Sequence, residues 1–227
     1  MSPPLRPSDT KLSRRVLLLG GLGLGAAALV LSGCAPAAKW HAIDVSGSSP
    51  ALQFAMTRVG DGKPVTAADY RGKIVMLYLG YTNCPDVCPT TLANLGEVLE
   101  RLGPDADRIR MLFVTVDPNR DTPAVLKEYV EDFAPQIDGL RGTADQLEAL
   151  ARRYRLVYSV EPETKDHPYE VTHSSAIYVF DGSGAARLLV ASLSTTTPDI
   201  AGTAADLKRL VEAQSPPGFF ARLLRLV

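Results

Sequence analysis

A strongly apolar segment that leads directly into a pair of cysteines constrains the fold of this chain more than any other feature. Residues 73–81 read KIVMLYLGY, a continuous apolar run that contains β-branched and aromatic side chains. Such a run predicts a central β-strand that is covered on both faces. Cys84 and Cys88 follow within a few residues, and after Pro89 leucines recur at helical spacing. The sequence therefore predicts a strand, a cysteine-containing turn and a helix in immediate succession.

Further strand and helix patterns alternate along the rest of the chain. The sequence predicts a second buried strand at 110–116, a helix from Pro123 with Thr122 as its N-cap, a helix capped by Thr143, two strands at 176–180 and 186–190 joined by the turn DGSG, and a last helix at 199–213. Alternation indicates an α/β domain with helices on both faces of a sheet. The late hairpin makes this a mixed sheet. Together with a cysteine pair after the first core strand, this order is typical of a thioredoxin-like fold.

The N-terminus resembles an export signal that ends in a lipid attachment site. Residues 16–33 are apolar and follow a basic segment, as in secretory signals. The sequence LSGC at 31–34 is similar to the bacterial lipobox, in which the cysteine is acylated and becomes the mature N-terminus. We therefore expect 1–33 to be a lipoprotein-type signal sequence and Cys34 to anchor the domain to the cell membrane on its extracytoplasmic, periplasmic side. An uncleaved transmembrane anchor is the alternative, because the run is near the minimum spanning length of about 17 residues.

Composition indicates how the remaining residues are organised. Residues 34–50, which begin with the lipidated cysteine, are rich in Ala, Ser, Gly and Pro and are expected to form a flexible spacer. The thioredoxin-like domain is predicted to span 51–214, and the apolar, basic tail at 215–227 has no assigned role. The formal net charge of the whole chain is -1, so no basic field indicates a nucleic-acid partner.

The two closely spaced cysteines carry the chemistry that the sequence predicts. Pro89 suits the first position of a helix, which places Cys88 at the helix N-terminus, where free N–H groups and the helix dipole favour a thiolate. A thiolate is both the nucleophile of disulfide exchange and a ligand for soft metals. Cys84 and Cys88 are therefore candidates for a redox pair and for metal ligands. An inert disulfide or two buried thiols is the structural alternative.

His173 is the histidine best placed to join the cysteines. It directly precedes the strand at 176–180, which in a thioredoxin-like sheet borders the first core strand. Two sulfurs and an imidazole suit copper as Cu(I) and as Cu(II), whereas zinc normally takes a fourth ligand. Asp86 and His167 are the only candidates for that fourth position.

Three segments carry a resemblance to a known family. TNCPDVCPTTL at 82–92, VDPNRDTPAVLKEY at 116–129 and VTHSSAIYVFDGSG at 171–184 resemble the Sco/SenC family. The resemblance implies a thioredoxin fold that binds copper through Cys84, Cys88 and His173. It also implies delivery of copper to the dinuclear copper site of cytochrome c oxidase subunit II, or reduction of that site's thiols, with an extracytoplasmic thioredoxin-like reductant or copper donor as a further partner. In the second segment, the loop DPNRD at 117–121, which begins with Asp117, is expected either to tune the site or dock a partner, or else to end a strand and cap a helix. Asp86 is expected either to tune the thiols or to stabilise the turn.

Three functions remain open from the residues. The first is a metallochaperone, which is not an enzyme in the strict sense. The second is an extracytoplasmic thiol-disulfide oxidoreductase that uses Cys84 and Cys88 without a metal. The third is a thioredoxin-fold peroxidase, for which Arg71 is the candidate activating arginine.

Overall fold

The computed structural model describes residues 39–214. The predicted signal sequence, Cys34 and the tail at 215–227 lie outside the described residues. None of the helices within 39–214 is long and apolar enough to cross a membrane.

The described chain forms a mixed α/β domain, which confirms the predicted fold class. The strands are β1 (Ile43–Asp44), β2 (Ala55–Arg58), β3 (Pro64–Thr66), β4 (Ile74–Gly80), β5 (Ile109–Thr115), β6 (Ile137–Arg141), β7 (Tyr158–Glu161), β8 (Glu170–His173), β9 (Ile177–Phe180) and β10 (Ala186–Val190). The helices are α1 (Val87–Leu102), α2 (Pro123–Glu131), α3 (Ala144–Tyr154) and α4 (Ile200–Gln214), with two short 3-10 helices at Ala67–Tyr70 and Gly103–Arg108.

Eight of these strands form one sheet in the order β1-β10-β9-β4-β5-β6-β2-β3. Strands β4, β5 and β6 are parallel, and β9 lies antiparallel against β4. Within residues 39–214, strands β7 and β8 pair only with each other, as a separate two-stranded sheet. The sequence therefore predicted β2, β4, β5 and the β9–β10 hairpin, and it missed β1, β3, β6 and the β7–β8 hairpin.

The central strand is buried along its whole length, as predicted from residues 73–81. Alternate side chains enter two core clusters on opposite faces of the sheet because successive residues of a strand point to opposite sides. Met76 and Tyr78 pack with α1, α2 and α4, whereas Leu77 and Leu79 pack with α3. The sheet thus carries helices on both faces.

Part of the expected spacer is instead bound to the domain. Ile43 and Asp44 form β1, which pairs with β10 at the edge of the sheet. The amides of His41 and Ala42 donate hydrogen bonds of 2.9 and 2.8 Å to the buried carboxylate of Asp206 in α4. These contacts fix the chain well before residue 51, since a backbone ladder and a buried acceptor outweigh the flexibility that the composition suggests.

Helix α1 begins at Val87, two residues earlier than the proline-based prediction. Pro89 is therefore in the first turn, where its missing N–H has no intrahelical partner to lose. Cys88 is the second residue of the helix, and it is fully buried.

Candidate metal centre

The cysteine pair lies at the carboxyl end of the central strand. Gly80 ends β4, and a short turn then leads through Cys84 to α1. A Cβ atom at Gly80 would lie 2.6 Å from the ring of Phe113 and 2.9 Å from the Cys88 sulfur. Only glycine fits at this position, because any larger residue would push the sulfur away from the end of the strand.

The two cysteines are free thiols in unequal surroundings. Cys84 is half-buried, and its sulfur accepts a hydrogen bond of 3.4 Å from the amide of Cys88. The Cys88 sulfur points into the core, where the Tyr78 hydroxyl donates to it at 3.8 Å. Burial raises the pKa of Cys88 to about 12. This direction is opposite to the prediction of a thiolate at Cys88, because burial disfavours the charged form of a sulfur inside the core.

This asymmetry assigns different chemistry to the two sulfurs. Cys84 is the sulfur that another molecule can reach, so it is the one suited to attack a disulfide. Cys88 holds its proton in the protein without metal, and a metal ion that binds its sulfur must displace that proton.

His173 ends strand β8 and reaches the buried sulfur. Its Nε2 lies 3.3 Å from the Cys88 sulfur, and its Nδ1 lies 3.1 Å from the carbonyl oxygen of Ser174. A carbonyl only accepts hydrogen bonds, so this contact requires the proton on Nδ1 and leaves the Nε2 lone pair facing the sulfur. Burial also lowers the pKa of His173, which favours the neutral imidazole that metals bind.

Two tyrosine rings enclose the imidazole. The rings of Tyr78 and Tyr81 each have their centroid 5.8 Å from that of His173, at interplanar angles of 79° and 83°. The Tyr81 hydroxyl also donates to the carbonyl oxygen of Val171 in β8 at 3.4 Å. The imidazole therefore has ring contacts on two sides and polar contacts through both nitrogens, Nδ1 to the Ser174 carbonyl and Nε2 to the Cys88 sulfur.

The donor atoms of Cys84, Cys88 and His173 all lie within 4.8 Å of one another. Metal–sulfur bonds of about 2.3 Å and metal–nitrogen bonds of about 2.0 Å separate the donors around one ion by roughly 4 Å or less. The three residues fit a single ion after a small adjustment of side chains. Two sulfurs and one imidazole suit copper, and within residues 39–214 no fourth residue joins the group to complete a tetrahedral zinc site.

The two candidates for a fourth ligand lie elsewhere. Asp86 is exposed at the start of α1, and its carboxylate accepts a hydrogen bond of 3.3 Å from Thr90. That contact fits the turn-stabilising interpretation of Asp86. His167 is exposed in the loop between β7 and β8, where its amide donates to Thr164.

Asp117 is fully buried beside the site and forms a cluster that the sequence did not reveal. The hydroxyl of Tyr169 donates to its carboxylate at 2.7 Å, and Arg120 forms an ion pair with it. The Arg120 guanidinium lies 3.9 Å from the ring centroid of Tyr169 and 5.9 Å from that of Tyr81. We call Asp117, Arg120 and Tyr169 the Asp117 cluster; it links the loop after β5 to the start of β8.

Asp121 fastens the turn that carries Cys84. Its buried carboxylate accepts hydrogen bonds from the amide and the hydroxyl of Thr82, at 3.1 and 2.6 Å, and from the Thr115 hydroxyl at 2.5 Å. The sequence predicted a role for the loop 117–121 as a whole and did not indicate this contact of Asp121 with the cysteine-containing turn.

Arg71 does not lie near the cysteines. It precedes β4, whereas the cysteines follow its end, and a strand of seven residues is about 23 Å long. The peroxidase hypothesis thereby loses the arginine on which it depended.

The fold and the site together define a thioredoxin-like protein with a dithiol–imidazole metal centre. The sequence profile of the SCO1/SenC family matches residues 50–212. The mitochondrial SCO2 homologue of Bos taurus is 38% identical over 190 residues, which cover 79% of this chain and 70% of that protein. The chain belongs to the SCO1/SenC family.

Solved structures of family members agree with this assignment. Copper-bound ScoI of Bradyrhizobium japonicum is 40% identical, with a TM-score of 0.62 over 71% of this chain and 99% of that one. Copper-bound yeast Sco1 is 33% identical, with a TM-score of 0.63 over 75% of this chain and 92% of that one. Both likenesses extend over most of the described domain.

Proposed function

We propose that this protein binds copper through Cys84, Cys88 and His173 and delivers it to the dinuclear copper site of cytochrome c oxidase subunit II. The observation that carries the proposal is the convergence of three donor atoms within 4.8 Å. Relatives with the same fold that have been solved with copper bound support the choice of metal.

The ligand set suits a metal that must be held and then released. Two thiolates bind Cu(I) tightly, and an imidazole helps to accommodate Cu(II). Three protein ligands leave room for a ligand of the acceptor to bind before the donor's ligands leave. Cys84 and His173 are half-buried, so these two ligands are the ones that an acceptor can approach, whereas Cys88 stays in the core.

The second candidate function is reduction of a disulfide by the same cysteine pair. The accessible sulfur of Cys84 attacks one sulfur of the partner disulfide and forms a mixed disulfide. Cys88 then attacks Cys84 and releases the partner as a dithiol. Two electrons pass from the pair to the partner, the two protons end on the partner's thiols, and Cys84–Cys88 becomes a disulfide that an extracytoplasmic thioredoxin-like reductant must restore. The unequal exposure of the two sulfurs supports this order of attack.

We also propose that the domain acts on the extracytoplasmic, periplasmic side of the membrane, tethered through lipid on Cys34. The lipobox-like sequence at 31–34 supports this location. In this arrangement 1–33 is removed as a signal, and the metal-binding domain extends to 214. The spacer after Cys34 is shorter than the expected 34–50, because the domain already begins at Trp40. Subunit II and a copper donor would both be reached from this membrane-bound position.

Transfer to the acceptor tests delivery directly. The Cu(I)-loaded domain is mixed with the metal-free, reduced soluble domain of subunit II, and formation of the dinuclear centre is followed by its visible absorption after oxidation. We expect wild-type protein to form the centre and Cys84→Ser, Cys88→Ser and His173→Ala to lose most of this activity. Equal transfer by all four proteins would refute the proposal.

A second arm separates delivery from thiol reduction. Metal-free, reduced protein is mixed with the oxidised subunit II domain, and the acceptor's thiols are counted. His173→Ala should reduce the disulfide as fast as wild type, because exchange needs only the two sulfurs, while Cys84→Ser should be inactive. If His173→Ala delivers copper normally, the imidazole has no part in the cargo site.

A further inference from the structure

The imidazole of the proposed copper site belongs to a hairpin that the large sheet does not hold. Strands β7 and β8 pair with each other, from Tyr158 opposite His173 to Glu161 opposite Glu170, and among the described residues no strand of the eight-stranded sheet pairs with either. A single two-stranded hairpin is at best marginally stable in water. The position of His173 therefore depends on the side chains that attach this hairpin to the body of the domain.

Those attachments lie on one face of the hairpin. Residues 169, 171 and 173 are spaced by two, so their side chains project from the same side of the strand. Val171 is buried in the core cluster and His173 lies between two tyrosine rings, whereas the intervening Glu170 and Thr172 are exposed. Tyr169 is the outermost of the three contacts, and its hydroxyl donates a hydrogen bond to Asp117 in the loop after β5.

The contact that Tyr169 makes is stronger than an ordinary surface hydrogen bond. Its acceptor, Asp117, is completely buried and is fixed in turn by the Thr115 hydroxyl, which accepts from the Asp117 amide at 3.0 Å. Hydrogen bonds to charged groups contribute roughly twice as much as neutral ones. The guanidinium of Arg120 covers the ring of the same tyrosine at 3.9 Å, a cation–π contact. One side chain thus joins the hairpin to a buried anion and to a cation.

The same cluster also reaches the other wall of the imidazole. Arg120 lies 5.9 Å from the ring of Tyr81, and Tyr81 contacts the ring of His173 and the Val171 carbonyl. Release of Tyr169 would therefore loosen the hairpin at one end and the wall of the His173 pocket at the other.

We infer that Tyr169 is a positioning residue for the third copper ligand: through Asp117 and Arg120 it holds the β7–β8 hairpin against the domain and so sets how often His173 faces the two sulfurs. This inference rests on the proposed copper function. It concerns the fraction of time that the His173 imidazole faces the two sulfurs, and not the binding of metal by the thiols. When the contacts of Tyr169 with Asp117 and Arg120 break, bound copper would keep its two sulfur ligands and lose its nitrogen ligand. Copper held by two sulfurs alone would be the form most accessible to an acceptor.

Copper binding by four variants tests the inference. The affinity for Cu(II) is measured by competition with a chelator, and bound nitrogen is detected by electron paramagnetic resonance. Removal of the hydroxyl in Tyr169→Phe should lower the affinity about threefold, and removal of the ring in Tyr169→Ala about tenfold, with a weakened nitrogen signal. His173→Ala gives the limit for complete loss of the imidazole.

The matched control removes a contact between the two strands of the hairpin and leaves the Asp117 cluster, which attaches the hairpin to the domain, unchanged. Ser159→Ala removes the 2.8 Å hydrogen bond between Ser159 and Thr172 across the same two strands. It should leave the nitrogen signal and the affinity within twofold of wild type. If Tyr169→Ala matches wild type, or if Ser159→Ala matches Tyr169→Ala, Tyr169 has no specific positioning role.

A measurement without metal keeps this result separate from the copper proposal. The tyrosine rings beside His173 should shift its ring protons in the nuclear magnetic resonance spectrum. In the metal-free, reduced protein, Tyr169→Ala should move these shifts toward those of an exposed histidine, whereas Ser159→Ala should not. Unchanged shifts in Tyr169→Ala would overturn the inference even if the protein binds copper. Failure of wild type to bind copper would instead refute the proposed function, while the shifts still decide the role of Tyr169.

Discussion

Two hairpins follow one another in this chain and are held in different ways. The β9–β10 hairpin belongs to the central sheet: β9 pairs with β4 on one side and with β10 on the other. The β7–β8 hairpin has no such ladder among the described residues and is attached through side chains: Tyr169, Val171 and His173 next to and in β8, and Tyr158 and Val160 in β7. His173, the imidazole ligand of the proposed copper site, is on the β7–β8 hairpin. The residues of the site are thus divided between the connection from β4 to α1, which carries the thiols beside the large sheet, and a hairpin outside that sheet, which carries the imidazole.

Core truncation should produce the largest difference between the hairpins. Leu188 in β10 is fully buried, so Leu188→Ala should lower the free energy of unfolding by about 2–5 kcal/mol through lost transfer energy and a cavity. Val160→Ala in β7 should cost no more than about 1 kcal/mol, since this side chain is half-buried and packs only at the edge of the core. Urea unfolding measures both. Equal losses would show that the two hairpins are equally part of the cooperative core.

Hydrogen exchange of the native protein should show the same contrast without any substitution. We expect the ladder amides of β7 and β8 to exchange through local opening at a free energy at least about 2 kcal/mol below that of β4 and β9 amides, which should require nearly global unfolding. Identical protection in both hairpins would contradict the division described above.

Bound copper should reduce the difference in hydrogen-exchange protection between the two hairpins, because the metal would link the imidazole to both thiols. In the presence of bound copper, exchange of the β8 amides should slow about tenfold, which corresponds to about 1.4 kcal/mol, while β10 amides change little. Removal of the metal by a chelator should restore the original rates. A uniform change in both hairpins would indicate that copper stabilises the domain as a whole and not the attachment of His173.

The turn of the β9–β10 hairpin should give the smallest effect and a defined pH dependence. Burial alone raises the pKa of Asp181, but hydrogen bonds from Ser183, Arg187 and the Ala185 amide lower it by more, so its net pKa is below 3.8. The depressed pKa contributes stability that is present above about pH 4 and is lost as the pH falls through the folded-state pKa. Asp181→Asn should lower the free energy of unfolding by about 1 kcal/mol at pH 7, a value limited by screening in solvent.

The control for this turn is the pH profile itself. The difference between wild type and Asp181→Asn should shrink as the pH falls from 5 to 3, as measured by denaturant unfolding at each pH. A difference that stays constant over that range would show that the carboxylate charge is not what stabilises the turn.

The same contrast explains what the sequence could predict. The β9–β10 hairpin is encoded locally, by two apolar strands around DGSG, and β4 by one apolar run, so both were found. The β7–β8 hairpin contains the polar segment 161–167, and its attachment depends on Tyr169 meeting Asp117, which is 52 residues away. Only the spacing by two of Tyr169, Val171 and His173 hinted at a strand with one buried face.

The residues of the site could be predicted from the sequence, but their protonation states could not. Cys84, Cys88 and His173 were named from residue type and from the elements that flank them, and the structure brings them together. The state of Cys88 was not predictable, because its protonation depends on how deeply the sulfur is buried behind Gly80 and Tyr78. Cys88 lies in the first turn of α1, and its side chain is nevertheless fully buried.

The coordination shell of bound copper tests the central claim most directly. X-ray absorption at the copper edge of the Cu(I)-loaded protein should show two sulfur atoms and one nitrogen or oxygen atom around the metal. In His173→Ala the nitrogen contribution should disappear while both sulfurs remain. An identical shell in wild type and His173→Ala, or a shell without sulfur in wild type, would contradict a copper site made of Cys84, Cys88 and His173.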